Sequence, residues 1–374
     1  MNNCLGLIMT EGKDTEFGEL TYKRPLTMLP FGGRYRLVDF TLSNMVNNGI
    51  NTIAVYTGEK ARSTMDHLGN GKPWDLNRRF TGLFIFPPLY SQDEYSKHGD
   101  LGELQSTESF FIQAKERYVL LADPAYLSKV NLQKAFNAFL ESGADVGMVY
   151  ANVTDPERQF FHATKLHIDE NKKIVSMGYN LGYESSFNMH LGLTFLKKSI
   201  LGQIVYESIE LGTAKSLRDA LINNITRLRI VGIPHKGNVE YIRNTANFYR
   251  ANMNLLNEDI YNELFFEGGP ILTKAKDEPS TFYGDEARVS NSLIANGCII
   301  EGEVINSIIF RGVNIGKGTL VKNSILMQKT IVGEEAAIIN TITDKYVEVD
   351  SFVTIAGTQL SPYIAQKGQK IRKE

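Results

Sequence analysis

Cysteine, tryptophan and histidine are all scarce in this chain of 374 residues, which holds two, one and six of them. Two cysteines, Cys4 and Cys298, exclude a disulfide framework and a thiolate zinc site, and both are expected as buried thiols. No run approaches the roughly 18 apolar residues of a membrane span, and the opening MNNCLGLIMT lacks a basic stretch followed by an apolar one. A cytoplasmic protein is expected. A formal net charge of -2 and a pI near 6.4 give no general field for nucleic acid or an anionic membrane, so neither is an expected partner and any anion site must be local.

What is present is an ordinary globular composition, 43% hydrophobic and 22% charged, on a chain long enough for two domains. From residue 1 to about 250, strand-like runs alternate with helix-like ones, the pattern of an α/β domain with a mostly parallel sheet. TLSNMVNNG (41–49) reads as a helix closed by Gly49, and NTIAVYTG (51–58) as the strand that follows. RYVLLADPAY (117–126) is a buried strand ending at Asp123, where ligands of open α/β sheets gather. TANFYRANMNLL (245–256) has helical spacing and leads into a connection that contains GGP and DEPS, so that 251–280 is expected as helix and connection.

Over 281–374 the character changes. The tetrads NSLI, NSII, NSIL and NTIT begin at Asn291, Asn306, Asn323 and Asn340. Aliphatic residues recur every six positions, with Ile309, Ile315 and Val321 in one row and Leu320, Leu326, Val332 and Ile338 in another. That spacing suits one short strand per face of a triangular coil, and it predicts a parallel β-helix of about four to five coils. Gly302, Gly312, Gly316 and Gly333 are expected at its corners, where a left-handed backbone is cheap for glycine. Some such coils are histidine-dependent acyltransferases, but His67, His98, His162, His167, His190 and His235 all precede the repeats. A structural, oligomer-forming role is expected instead.

PFGGRYRLVDFTLSN (30–44) and NSLIANGCIIEGEVINSIIFRGVNIGKG (291–318), together with this domain order, resemble the ADP-glucose pyrophosphorylase, or glucose-1-phosphate adenylyltransferase, family. RPLTMLPFGGRYRLVDF (24–40) and TMDHLGNGKPWDL (64–76) resemble more specifically a glycogen-biosynthesis paralogue within it. The resemblance implies a nucleotidyltransferase-like (Rossmann-like) domain and a left-handed β-helix of hexapeptide repeats. It also implies the chemistry of the family, AMP transfer from ATP to glucose 1-phosphate, which rests on charge neutralisation by magnesium, cations and backbone N–H groups.

Against that pattern the catalytic parts are altered together. The family's phosphate loop, of the type LAGGxGTRLxxLT, aligns with MTEGKDTEFGELT (9–21), so that Glu11 and Asp14 replace glycines and Glu16 replaces the arginine. One carboxylate about 4 Å from a phosphate charge costs ~4 kcal/mol at an effective dielectric of ~20, roughly a thousandfold in affinity. The alternative is that these carboxylates point to solvent. Leu26 stands where the family's KPAVPFGG segment has lysine, and Tyr179 and Asn180 stand at the Glu and Lys of its sugar-phosphate motif. Asp123 aligns with the first metal carboxylate and is read as a remnant; Tyr241 aligns with the second, although a one-residue slip would bring Glu240 there.

Regulatory cations persist. The segment that binds an anionic sugar-phosphate activator in enteric-type members is matched by Lys23, Arg24 and Arg36, with Arg34 alongside, and these are the candidate effector-binding residues. Lys72, Arg78 and Arg79 around Trp74 mark either an interface or a surface loop over one buried ring. The leading expectation is a catalytically impaired subunit, without a cofactor or metal of its own, that assembles with an active glucose-1-phosphate adenylyltransferase subunit in a heterotetramer. The alternatives are a weak magnesium-dependent enzyme using Asp123 and Glu240, and a stand-alone sugar-phosphate sensor.

Overall fold

The computed structural model describes residues 1–9, 14–88, 99–155 and 157–373, apart from the side chains of Asp14 and Thr15. Two compact units emerge, one of Met1–Gly12, Phe40–Tyr241 and Gly268–Leu272, the other of Lys13–Asp39, Ile242–Glu267 and Thr273–Glu374. Both units are discontinuous along the chain. Within the second unit Arg24 pairs with Asp344, Arg311 donates to the Arg34 carbonyl, and the Tyr249 hydroxyl donates to the Asn323 carbonyl. Contacts between segments this far apart in sequence leave no trace in composition.

The first unit is built on a nine-stranded mixed sheet. Its parallel part runs Tyr118–Ala122, Cys4–Ile8, Thr52–Tyr56, Gly82–Phe86. Cys4–Ile8 and Thr52–Tyr56 are buried at every position, as strands covered on both faces must be. The long strand Ser186–Lys197 then pairs antiparallel with Tyr118–Ala122, Val146–Thr154 and Thr164–Ile168. A register shift between His190 and Thr194 breaks its pairing with Val146–Thr154. Leu5, Leu7, Val119, Leu196, Leu201 and Leu217 belong to one buried core. The helix expected over 41–49 begins earlier, as Leu37–Asn47, with Gly49 at φ +81° just after it.

The second unit carries a left-handed parallel β-helix, whose faces are parallel sheets of six, five and five strands. Val304, Val321, Ile338 and Ile355 are in register on one face, and Ile300, Ile315, Val332 and Val349 on another. Two expectations need correction. Val321 is the inward residue of Leu320–Lys322 and Leu320 is only half-buried, because the inward spacing drops from six to five between Val321 and Leu326. One row of left-handed corners is taken by Asn291, Asn306, Asn323 and Asn340 at φ +41° to +48°, and a second by Gly297, Gly312, Lys329 and Tyr346 at φ +59° to +78°. Of the four glycines assigned to corners, only Gly312 has positive φ. Gly302 is there for space, since a Cβ would lie 2.3 Å from the Thr319 carbonyl oxygen of the next coil.

The stretch 251–280 holds a second helix. Glu258–Phe266 forms a helix whose first turn is capped by the Asn257 side chain, which accepts from the N–H groups of Asp259 and Ile260. No helix among the described residues is long and apolar enough to cross a membrane.

Candidate functional site

Asp123 follows Tyr118–Ala122, at the carboxyl end of a central strand. Its carboxylate accepts from the Ala125 N–H at 2.9 Å, and its own N–H donates to the Gly192 carbonyl at 3.0 Å. Gly192 has φ +65°, and a Cβ there would sit 2.6 Å from the Tyr126 ring and 3.0 Å from the Asp123 Cβ. Only glycine lets the long strand pass this close.

Strand Val239–Tyr241 pairs antiparallel with Tyr126–Ser128 and sets Tyr241 opposite Tyr126. The two rings stack with centroids 4.5 Å apart and planes at 19°. Side chains alternate along a strand, so Glu240, buried opposite Leu127, projects from the other face of the ribbon. A phenol therefore occupies the place aligned with the second metal carboxylate. Among the described residues no group of three His, Cys, Asp or Glu side chains is placed to hold a metal ion.

Asn180, at the family's lysine position, is a buried turn residue. Its Nδ2 donates to the Phe160 carbonyl at 3.0 Å and its Oδ1 accepts from the Gly182 N–H at 2.9 Å. Tyr179 beside it lies under a guanidinium, with Arg218 Cζ 3.9 Å from the ring centroid. His190, on the long strand, has Nε2 3.3 Å from the Leu193 carbonyl and 3.0 Å from Thr194 Oγ1. Burial pushes the His190 imidazole down to about 4, against the Leu193 hydrogen bond and with the help of the Arg218 charge.

In the second unit Glu16 is gripped by Arg243, with Nε to Oε2 at 2.9 Å and Nη2 to Oε1 at 2.6 Å. This carboxylate is neutralised by a residue that the motif comparison did not single out. Leu26 is buried in the short turn Leu26–Met28. Glu11 and the Asp14 side chain lie outside the described residues.

The candidate effector cations divide. Arg24 is buried, with Nε donating to the Leu20 carbonyl at 2.9 Å and Nη2 paired with Asp344. Arg36 is half-buried, while Lys23 and Arg34 are exposed. Arg24 and Arg36 converge on a cation that motif matching missed, Lys345. Burial, then the charges of Arg36 and Arg24, push the Lys345 amine down to about 6. The Lys276 amine is lowered by burial and then by Arg311 and Arg36. Lys345 follows Asp344 just after the last tetrad NTIT, and its adjacency to the partner of Arg24 is a signal that only the fold makes readable. Around Trp74 the open question resolves: the ring is buried against His67, and it is Phe80, stacked by Arg79 at 5.2 Å, that is exposed.

Comparison with known proteins agrees with this layout. The Nucleotidyl transferase family matches residues 5–176, and the family of GlmU-like, C-terminal hexapeptide domains matches 279–360. The chain is 33% identical to the glycogen biosynthesis protein GlgD of Bacillus subtilis (strain 168) over 98% of its own length and 96% of that protein. It is 34% identical to GlgD of Geobacillus stearothermophilus over 86% of the chain and 83% of that protein. It is 29% identical to the glucose-1-phosphate adenylyltransferase of Clostridium perfringens (strain SM101 / Type A) over 87% of the chain and 84% of that protein.

Proposed function

The chain belongs to the family of GlgD and glucose-1-phosphate adenylyltransferase and has a role in glycogen biosynthesis, and we propose that within it the chain is a regulatory subunit rather than a catalyst. The observation that carries this reading is the Tyr241–Tyr126 stack, which stands where the family's chemistry needs a second carboxylate. A magnesium ion held by two carboxylates does not fit that donor set, because Mg²⁺ takes hard oxygen ligands in near-octahedral order and a stacked neutral phenol is a poor one.

Two further features support it. Asn180 is bound into a buried turn at the place of the sugar-phosphate lysine, and Glu16 and Arg243 neutralise each other at the place of the loop arginine. Each lost electrostatic donor is typically worth ~10²–10³ in rate, so together they remove turnover. Lys345 and Arg36, beside the Arg24–Asp344 pair, by contrast hold an excess of positive charge suited to a phosphate-bearing effector. The chain would assemble with an active glucose-1-phosphate adenylyltransferase subunit in a mixed tetramer, and its effector would act by biasing two states of that partner.

The test is ADP-glucose synthesis by this chain, by an active paralogue and by the two co-expressed at matched active-subunit concentration. The expected outcome is no synthesis by this chain alone and a mixture several-fold more active than the paralogue. Magnesium-dependent synthesis by this chain alone sinks the proposal.

A further inference from the structure

The helix Lys198–Glu210 carries an interior glycine that no neighbouring group in the protein requires. Glycine in the middle of a helix weakens it relative to alanine, and it is normally kept where another group must come close. Gly202 is exposed, and a Cβ built on it would meet no atom within 4 Å. The open space beside it is a cavity of about 80 Å³.

The cavity lies within the first unit, between this helix and the short helices Gly99–Ser106 and Glu108–Gln113. Buried Leu104, Leu201 and Val205 and the partly buried Phe111 give it apolar walls. A cavity of ~150 Å³ takes benzene, so this one admits roughly three or four aliphatic carbons and no aromatic ring. Two opposite charges stand in the lining. The Glu108 side chain is exposed and makes no hydrogen bond or ion pair among the described residues. Lys198 Nζ donates to the Phe111 carbonyl at 2.9 Å and the Ala114 carbonyl at 2.5 Å, which leaves one of its three N–H groups unused. Those carbonyls lie at the carboxyl end of Glu108–Gln113 and hold the amine beside the cavity.

A small apolar chamber between an unpaired carboxylate and a spare ammonium N–H suits a short branched hydrocarbon that carries both an ammonium and a carboxylate. A plain amine leaves Lys198 unmatched, and a plain carboxylate leaves Glu108 unmatched. We propose that this cavity binds a free α-amino acid with a branched aliphatic side chain, the side chain seated against Gly202, the ammonium on Glu108 and the carboxylate on Lys198. The site uses none of the residues around Asp123 or Lys345 and does not rest on the regulatory reading.

Calorimetric titration of the full chain with leucine, glycine, phenylalanine, isoamylamine and isocaproate tests it. The expected result is saturable binding of leucine, with the other four compounds at least about tenfold weaker, because each lacks one of the matched groups or exceeds the cavity. Gly202→Leu, whose added side chain grows into the open space, should abolish leucine binding while its helical circular dichroism and melting temperature equal or exceed those of the parent. In case that variant unfolds, Glu108→Gln on the surface gives an independent reading: leucine binding should weaken about tenfold and isocaproate binding should not change. No saturable binding of leucine, equal affinity for glycine or phenylalanine, or leucine binding that survives Gly202→Leu overturns the assignment. So does self-association that Gly202→Leu abolishes in a chain that binds no leucine, which would make this face a contact between copies of the chain.

Discussion

Arg243 holds Glu16 with both arms of one guanidinium, at 2.9 and 2.6 Å. Glu16 stands where the family's phosphate loop has an arginine, and Arg243 supplies the positive charge from a distant segment, so the pair is neutral as a whole. Glu16 keeps 36% of its side chain exposed, which screens the pair. Glu16→Gln and Arg243→Gln are each expected to lower stability by about 1 kcal/mol, and the double variant by little more. Urea unfolding of the four proteins measures the coupling, and strictly additive losses would show that the two side chains do not interact in solution.

Restoring the family's lysine by Asn180→Lys is expected to damage the protein rather than revive it. The site is 3% exposed and its polar groups are matched to an amide, and the neighbouring Asp155 carboxylate, 3.5 Å from Nδ2, already accepts from the Gln159 and Phe160 N–H groups, so the longer ammonium would be buried among groups set for something else. A loss of about 3 kcal/mol is expected, with no ADP-glucose synthesis gained. A variant as stable as the parent would mean that the turn opens to solvent more easily than its hydrogen bonds imply.

Much of the architecture was legible in the sequence because it rests on local periodicity. The buried strand before Asp123 and the six-residue aliphatic rows both follow from which side chains must face a core. Of the glycines expected at corners only Gly312 stands, and the reason is instructive: asparagine can take the left-handed conformation, and the repeating Asn291, Asn306, Asn323 and Asn340 were visible as a pattern without being read as the turn. The site was half legible. Tyr241 and Asn180 were singled out by alignment, but Arg243, Arg218 and Lys345 meet partners distant in sequence, and no spacing rule reaches that far.

The asparagine corners give a stability prediction. Asn323 has φ +48° and its Nδ2 donates to Asn340 Oδ1 at 3.2 Å, a ladder repeated between Asn291 and Asn306. Asn323→Ala keeps the strain of a side chain at positive φ, about 1–2 kcal/mol, without local compensation, and loses a hydrogen bond worth about 1 kcal/mol. A loss of about 2 kcal/mol is expected, against roughly half that for Asn323→Gly, which removes the strain but also the ladder. Equal losses for the two variants in chemical denaturation would show that the ladder, not the backbone, dominates.

The Lys345 amine, lowered to about 6 by burial and by Arg36 and Arg24, would tie the binding of the proposed anion to pH. An unfolded lysine titrates near ~10.4, so between about pH 6 and that value the unfolded chain binds a proton that the folded chain does not. This group therefore makes stability rise as pH rises through the window, and Lys345→Met should flatten that slope. Sulfate, whose charge is constant here, favours the protonated amine, so its binding should take up a proton and tighten as pH falls toward 6, by at most about tenfold per unit. Calorimetry at about pH 7.5 in two buffers of different ionisation enthalpy counts the protons; uptake close to one is expected for the parent and none for Lys345→Met. Zero uptake by the parent would mean that Lys345 is already charged at neutral pH, and that Asp344 rather than a bound anion supplies its counter-charge.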